Sequence, residues 1–253
     1  MDLEKNIDQN IEDNKNDKIV RLLKNININK EVSNYIDNTF IQHRIYNSFN
    51  YFFLSRENKE INFTLGVTSA KSGEGKTLIA SNLAVSLALS SKKNTLLIDL
   101  NIANPRLNKI FGTPISPGLT EALNESEINV FQSSIDYLHI IPAGKKLLIH
   151  EKFFQSKASN TGKQQKLEPS LGLEHLASFR DIIYTLEQKY EFIIVDMPAI
   201  GSNTIPPLFA NQFHGLIIVV RSEHTKKEDI DSIFHKVGER NVIGFVINNF
   251  KKI

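Results

Sequence analysis

The chain has 253 residues, of which 41% are hydrophobic and 23% charged, so it carries enough apolar material for one α/β core or two small domains. Lys and Arg number 30 against 28 Asp and Glu, and a net charge of +2 excludes a histone-like or polybasic nucleic-acid binder. The absence of cysteine excludes disulfides, thiolate metal sites, iron–sulfur clusters and cysteine nucleophiles, and fits a reducing compartment.

Met1 to Asp17 is acidic, polar and Asn-rich, the opposite of a basic segment followed by an apolar one, so no secretory leader is expected there. The longest apolar run, Leu216 to Val220, is far short of the roughly 18 residues that span a bilayer. A cytoplasmic protein is expected. Residues 1–34 hold seven acids, six bases and no aromatic residue, and are expected to form a disordered or partly helical tail. Within it Ile19, Leu22, Leu23 and Ile26 recur at helical spacing beside Lys18, Arg21 and Lys24. Such a basic amphipathic helix either touches a membrane surface or partner, or rests on its own domain.

Residues 35–253 are expected to form one domain. Tyr35 to Leu54, rich in Ile, Tyr and Phe without Gly or Pro, suits a helix that packs on the core. Short apolar runs follow at Phe63 to Thr68, Thr95 to Asp99, Tyr137 to Ile141, Phe192 to Asp196, Leu216 to Arg221 and Val242 to Asn248. Runs this rich in Val, Ile and Leu predict strands buried on both faces. Thr77 to Ser90, Leu173 to Tyr190 and Lys226 to Glu239 carry apolar residues on a helical period. Strand alternating with helix predicts an α/β fold: a doubly wound, mostly parallel sheet flanked by helices and joined by right-handed crossovers. Residues 145–170 carry six lysines against two glutamates without a clear period, which is either a basic patch or a solvated loop.

The segment Gly66-Val67-Thr68-Ser69-Ala70-Lys71-Ser72-Gly73-Glu74-Gly75-Lys76-Thr77 stands between the first buried strand and the first strong helix. Turns at Gly73 and Gly75 let backbone NH groups converge on phosphate oxygens, and the helix that follows presents its unpaired N-terminal donors there, Leu78 included. In this P-loop (Walker A) pattern Lys71, Ser72, Gly73, Glu74, Gly75, Lys76, Thr77 and Leu78 are the nucleotide-binding candidates, with Ala70 in place of the usual first Gly. Lys76 is expected to neutralise the β- and γ-phosphates of ATP, and Thr77 to ligate Mg²⁺. Two apolar runs end in a carboxylate, Leu96-Leu97-Ile98-Asp99 and Ile193-Ile194-Val195-Asp196. In open α/β sheets ligands sit at the strands' carboxyl edge, so Thr77, Asp99 and Asp196 form the expected magnesium set, and Lys76 and Asp99 the expected catalytic pair. Two structural aspartates are the alternative, costly for buried carboxylates without an ion or base beside them.

The pair Lys71 and Lys76 resembles the deviant Walker A signature of the ParA/MinD class, in which the first lysine reaches the nucleotide of a facing subunit; a solvated loop cation is the alternative. From about Ile41 to Asn248 the whole pattern resembles the cytoplasmic domain of the bacterial tyrosine autokinases of capsule and exopolysaccharide synthesis. The likeness rests on Ser69 to Thr77, Asn82-Leu83-Ala84, Leu96 to Asp99, Asn104-Pro105-Arg106-Leu107, Pro117-Gly118-Leu119, Ile141-Pro142-Ala143-Gly144, Tyr190 to Pro198 and Val242-Ile243-Gly244 through Asn248. It implies a Mg·ATP-binding tyrosine kinase that self-associates and answers to a membrane-embedded polysaccharide co-polymerase, in the cytoplasm or peripherally at the inner face of the plasma membrane.

Three departures bear on activity. The family's Asp-x-Asp-x-Arg motif reads Asp99-Leu100-Asn101-Ile102-Ala103, and an amide at 101 cannot act as a general base. Of the family's ring-forming Glu-x-x-Arg-x-x-Arg pattern only Arg44 matches, and no tyrosine follows Tyr190. The kinase reading therefore stands beside two others. One is a ParA/MinD-like ATPase acting as a nucleotide-gated assembly switch; the other is a structural adaptor with a vestigial P-loop. The seven histidines lack metal-ligand spacing, and the phenylalanines fall at core-like positions rather than between basic residues, so zinc and nucleic acid are not expected as partners.

Overall fold

A computed structural model describes residues 62–125, 127–145, 170–202 and 204–249. The expected tail over 1–34, the helix over Tyr35 to Leu54, Arg44 and the basic residues from 146 to 169 lie outside the described residues. In chain order come β1 (Phe63–Ser69), α1 (Lys76–Ser91), β2 (Thr95–Asp99), α2 (Leu107–Phe111), α3 (Leu119–Glu125), β3 (Phe131–Gln132) and β4 (Leu138–Ile141). They are followed by α4 (Leu176–Glu187), β5 (Phe192–Asp196), β6 (Gly215–Arg221), α5 (Lys227–Val237) and β7 (Val242–Asn248).

The strands form one seven-stranded sheet in the order β3-β4-β2-β5-β1-β6-β7, parallel throughout except for the antiparallel β3–β4 pair. Because side chains alternate along a strand, each central strand feeds two cores. On one face Leu96, Ile98, Ile193, Val195, Leu216 and Ile218 pack with α4, whose Phe179 ring lies 5.2 Å from Phe209 and 6.0 Å from Phe213. On the other, Leu65, Val67, Leu97, Ile194, Ile217 and Val219 pack with α1. Burial on both faces is what the apolar runs of β2 and β5 require, and β1 is buried throughout as well although its polar residues alternate with apolar ones. The expectation fails at β7, an edge strand on which Phe245 and Ile247 stay 47% and 61% exposed.

Two helices also depart from expectation. Every residue of α1 from Ile79 to Ala88 is buried, so its apolar residues are not one stripe on a half-wet helix. Its polar members are small, and Asn82 satisfies its amide locally by donating to the Leu78 carbonyl at 2.8 Å. The expected helix from Leu173 begins instead as a 3₁₀ turn over Leu173–His175 and becomes α-helical only at Leu176. Parallel pairing sends the C-terminal ends of β1, β2 and β5 to one sheet edge, where Asp99 and Asp196 are register partners.

Candidate functional site

At that edge the chain leaves β1 through Ala70–Gly75 and enters α1. Gly73 and Gly75 hold φ of +82° and +99°, a left-handed backbone that L-residues adopt only at a cost. At Gly75 space adds a second demand, because a Cβ would lie 2.1 Å from Asn248 Nδ2. The first backbone bond of α1 runs from Ile79 N to the Gly75 carbonyl at 3.0 Å. The amides of Lys76, Thr77 and Leu78 precede it, at the positive end of the helix, where helices receive phosphate.

The loop is fastened from beneath by Glu74, which is fully buried and turned inward. Its carboxylate accepts hydrogen bonds from the Lys71 amide at 2.9 Å and from the Thr225 hydroxyl. The Glu74 carbonyl accepts from Asn248 Nδ2 at 2.9 Å. Among the sequence candidates Glu74 thus shapes the cradle rather than facing a ligand. Thr225, in the turn between β6 and α5, and Asn248, the last residue of β7, were not singled out by sequence reasoning as parts of the site. Only proximity in the fold joins them to a loop some 150 and 174 residues away.

Lys76 is buried, and burial holds its amine below the usual lysine range despite the charges of Asp196 and Glu74, which act the other way. Its Nζ lies 3.4 Å from the Lys71 carbonyl, folded over the loop. Lys71 is neither a free loop cation nor extended outward; its Nζ meets Asp229 Oδ2 on α5 at 2.5 Å. Ser72 and Gly73 are exposed at the tip of the loop.

The two strand-end aspartates have different surroundings. Asp99 accepts the Asn101 amide on Oδ1 at 3.1 Å, and the Arg106 and Leu107 amides on Oδ2 at 3.0 and 3.1 Å. Those three bonds curl residues 100–107 back to the sheet edge and leave Asp99 one lone pair, on Oδ1. Burial raises its pKa to about 6, with the three amides opposing the rise. Asp196 accepts the Thr77 hydroxyl on Oδ2 at 2.7 Å, while its Oδ1 is buried without a hydrogen-bond partner. Burial first, then the Asp99 charge, lift its pKa to about 8, against the pull of Thr77, Lys76 and Arg106.

A buried carboxylate oxygen with no partner is expensive unless something comes to it. Asp196 Oδ1, the Thr77 hydroxyl and the last lone pair of Asp99 are hard oxygen donors, the chemistry that Mg²⁺ selects. Among the described residues no three His, Asp or Glu cluster as a metal cage, so such an ion would complete its shell with phosphate oxygens and water. Beside the loop, on the α5 side, opens a cleft of ≈ 430 Å³ with Ala70, Ser72, Ile200, Ser202, Ile233 and Lys236 in its walls. The structure thus brings Lys71 through Leu78, Asp99 and Asp196 to one edge, while Asn101 contributes a backbone amide rather than a carboxylate.

No described helix is long and apolar enough to cross a membrane. Known proteins resemble this chain in sequence and in fold. The putative tyrosine-protein kinase CapB of Staphylococcus aureus is 27% identical over 193 residues, covering 73% of this chain and 74% of CapB. The crystal structure of the VpsO kinase domain superposes with a TM-score of 0.64 at 25% identity, over 86% of this chain and all of that one. The cell-division protein MinD of Aquifex aeolicus shares the fold, with a TM-score of 0.55 at 18% identity over 75% of this chain and 70% of its own. A family model described as an AAA domain matches residues 63–242, and the chain belongs to that family.

Proposed function

We propose that the chain is a Mg·ATP-dependent protein-tyrosine kinase subunit acting in capsule or exopolysaccharide synthesis, with a membrane-embedded co-polymerase as its partner. The observation that carries the reading is the buried, unpartnered Asp196 Oδ1 beside Thr77, directly under a P-loop already in its left-handed shape. Its likeness to CapB and to the VpsO kinase domain supplies the reaction class. In this reading Lys76 and the amides of Gly73 to Leu78 hold the β- and γ-phosphates, and Thr77 and Asp196 hold Mg²⁺. The ion would neutralise charge developing on the transferred phosphoryl group. Asp99, its pKa raised to about 6 by burial, is in the range a general base needs, and its free lone pair can accept a tyrosyl proton.

The test is a phosphotyrosine assay on the full chain with Mg·ATP, alone and with the co-expressed polysaccharide partner, using Lys76→Met as control. Phosphotyrosine that disappears in Lys76→Met is expected, since a methionine cannot neutralise phosphate charge. Phosphotyrosine absent from wild type in every arm would end the kinase reading. A second reading, a nucleotide-gated assembly switch, is favoured by Asn101, which brings only a backbone amide where a second carboxylate would serve as base. Under that reading ATP changes sedimentation without any phosphotyrosine appearing.

A further inference from the structure

The three amide bonds to Asp99 do more than fold a loop. By recruiting the Arg106 and Leu107 amides onto Oδ2, they bring Arg106 back to the sheet edge seven residues after it has left. There Asp99 is the register partner of Asp196. The Arg106 side chain is exposed, and its guanidinium makes no hydrogen bond or ion pair with any described residue. The nearby carboxylates do not capture it. Asp99 has spent three of its four acceptor positions on backbone, and the unpartnered oxygen of Asp196, Oδ1, is buried whereas Arg106 is exposed. Its backbone, tied to Asp99, puts Arg106 at the same sheet edge as Asp196 and the Thr77 hydroxyl that Asp196 accepts. Lys76 is buried and committed to the loop, with its Nζ against the Lys71 carbonyl. Arg106 is therefore a second positive charge at the site, anchored through its backbone and uncommitted at its tip. A planar fork of donors held this way matches the oxygens of a phosphate group.

We infer that Arg106 contacts the terminal phosphate of the bound nucleoside triphosphate from the β2 side, opposite Lys76. The inference rests on the nucleotide reading given above. Its signature is discrimination between nucleotides: a residue that touches only the terminal phosphate separates ATP from ADP, whereas a residue that merely shapes the loop affects both alike. Substitution of the side chain leaves the backbone amide that Asp99 binds, so the loop is retained.

The experiment is calorimetric titration of the full chain and its Arg106→Ala, Arg106→Gln and Arg106→Lys variants with a non-hydrolysable ATP analogue and with ADP, both with Mg²⁺. Loss of a charge-assisted contact predicts analogue affinity weakened roughly tenfold in Arg106→Ala and Arg106→Gln, partly recovered in Arg106→Lys, and ADP affinity within twofold of wild type throughout. Equal loss for both nucleotides, or no loss for either, would overturn the assignment. If the wild-type chain bound neither nucleotide, it is the underlying nucleotide reading that would fall, and the two failures are told apart by the wild-type titration alone.

Discussion

The burial of Asp196 at the sheet edge carries a pH dependence of stability. An aspartate titrates near 3.9 in an unfolded chain, and burial lifts this one to about 8. Between those values the folded protein keeps a proton that the unfolded chain has lost, so stability falls as pH rises through the window. Asp196→Asn accepts the same Thr77 hydroxyl and does not titrate. The melting temperature of the ligand-free variant should match wild type near pH 4 and exceed it increasingly up to about pH 8, levelling off above. Parallel melting curves across that range would show that the carboxyl is not held protonated by the fold. Gly75 makes a steric rather than electrostatic demand. Gly75→Ala meets left-handed strain of about 1–2 kcal/mol and, in addition, the Asn248 amide. Urea unfolding should show Asn248→Ala in the same chain recovering part of the loss, because the strain in φ remains after the contact is relieved. Sequence alone made both residues legible as candidates at the strands' carboxyl edge, since a strand-terminal Asp and a P-loop Gly are set by local pattern. The Asn248 contact was not, because it joins positions related only by the sheet.

Elements were legible in proportion to their length and burial. β2 and β5 fall where their apolar runs predict, because Leu, Ile and Val cluster wherever a strand has its side chains removed from water, and β7 falls where its run predicts although it lies at an edge. α2 and α3, with five and seven residues, are too short to display a helical period, and the two residues of β3 cannot alternate. Exposure on β7 was hidden as well, for a run of apolar residues does not say which strand lies at an edge. The least legible feature is the support of the P-loop from below. Thr225 donates to Glu74 and accepts the Arg221 amide at 2.9 Å, so one hydroxyl ties the β6–α5 turn to the phosphate loop. Thr225→Val keeps the shape and leaves a buried carboxylate oxygen and an amide without that partner, at a cost of roughly 1–3 kcal/mol in urea unfolding. Thr225→Ser, which retains the hydroxyl, should stay close to wild type. If valine is as stable as serine, the turn and the loop are held together by packing instead.

For the molecule as a whole, strand-helix alternation made the parallel architecture legible, while the spatial order of the strands follows from packing that no local pattern encodes. That order sets α5 beside the P-loop, and with it Asp229 beside Lys71. Asp229 Oδ2 accepts both Lys71 Nζ at 2.5 Å and the Lys226 amide at 2.9 Å, a pairing that also holds its carboxyl below the ordinary range. If two chains join across the nucleotide through Lys71, as the switch reading requires, this pair has to open first. Asp229→Asn removes the charge and keeps an oxygen for the Lys226 amide, so it releases Lys71 without uncapping α5. The Lys71 side chain is 42% exposed, and half-exposed ion pairs are weak. The expected gain is therefore modest: sedimentation velocity with Mg·ATP should show dimerisation about two- to fivefold tighter in Asp229→Asn, with the difference shrinking at high salt as screening weakens the wild-type pair. With ADP neither chain should associate, and Lys71→Ala should remain monomeric with ATP. Were Lys71→Ala to dimerise as wild type does, the lysine would be a tether within one chain and the association would have to run through another surface.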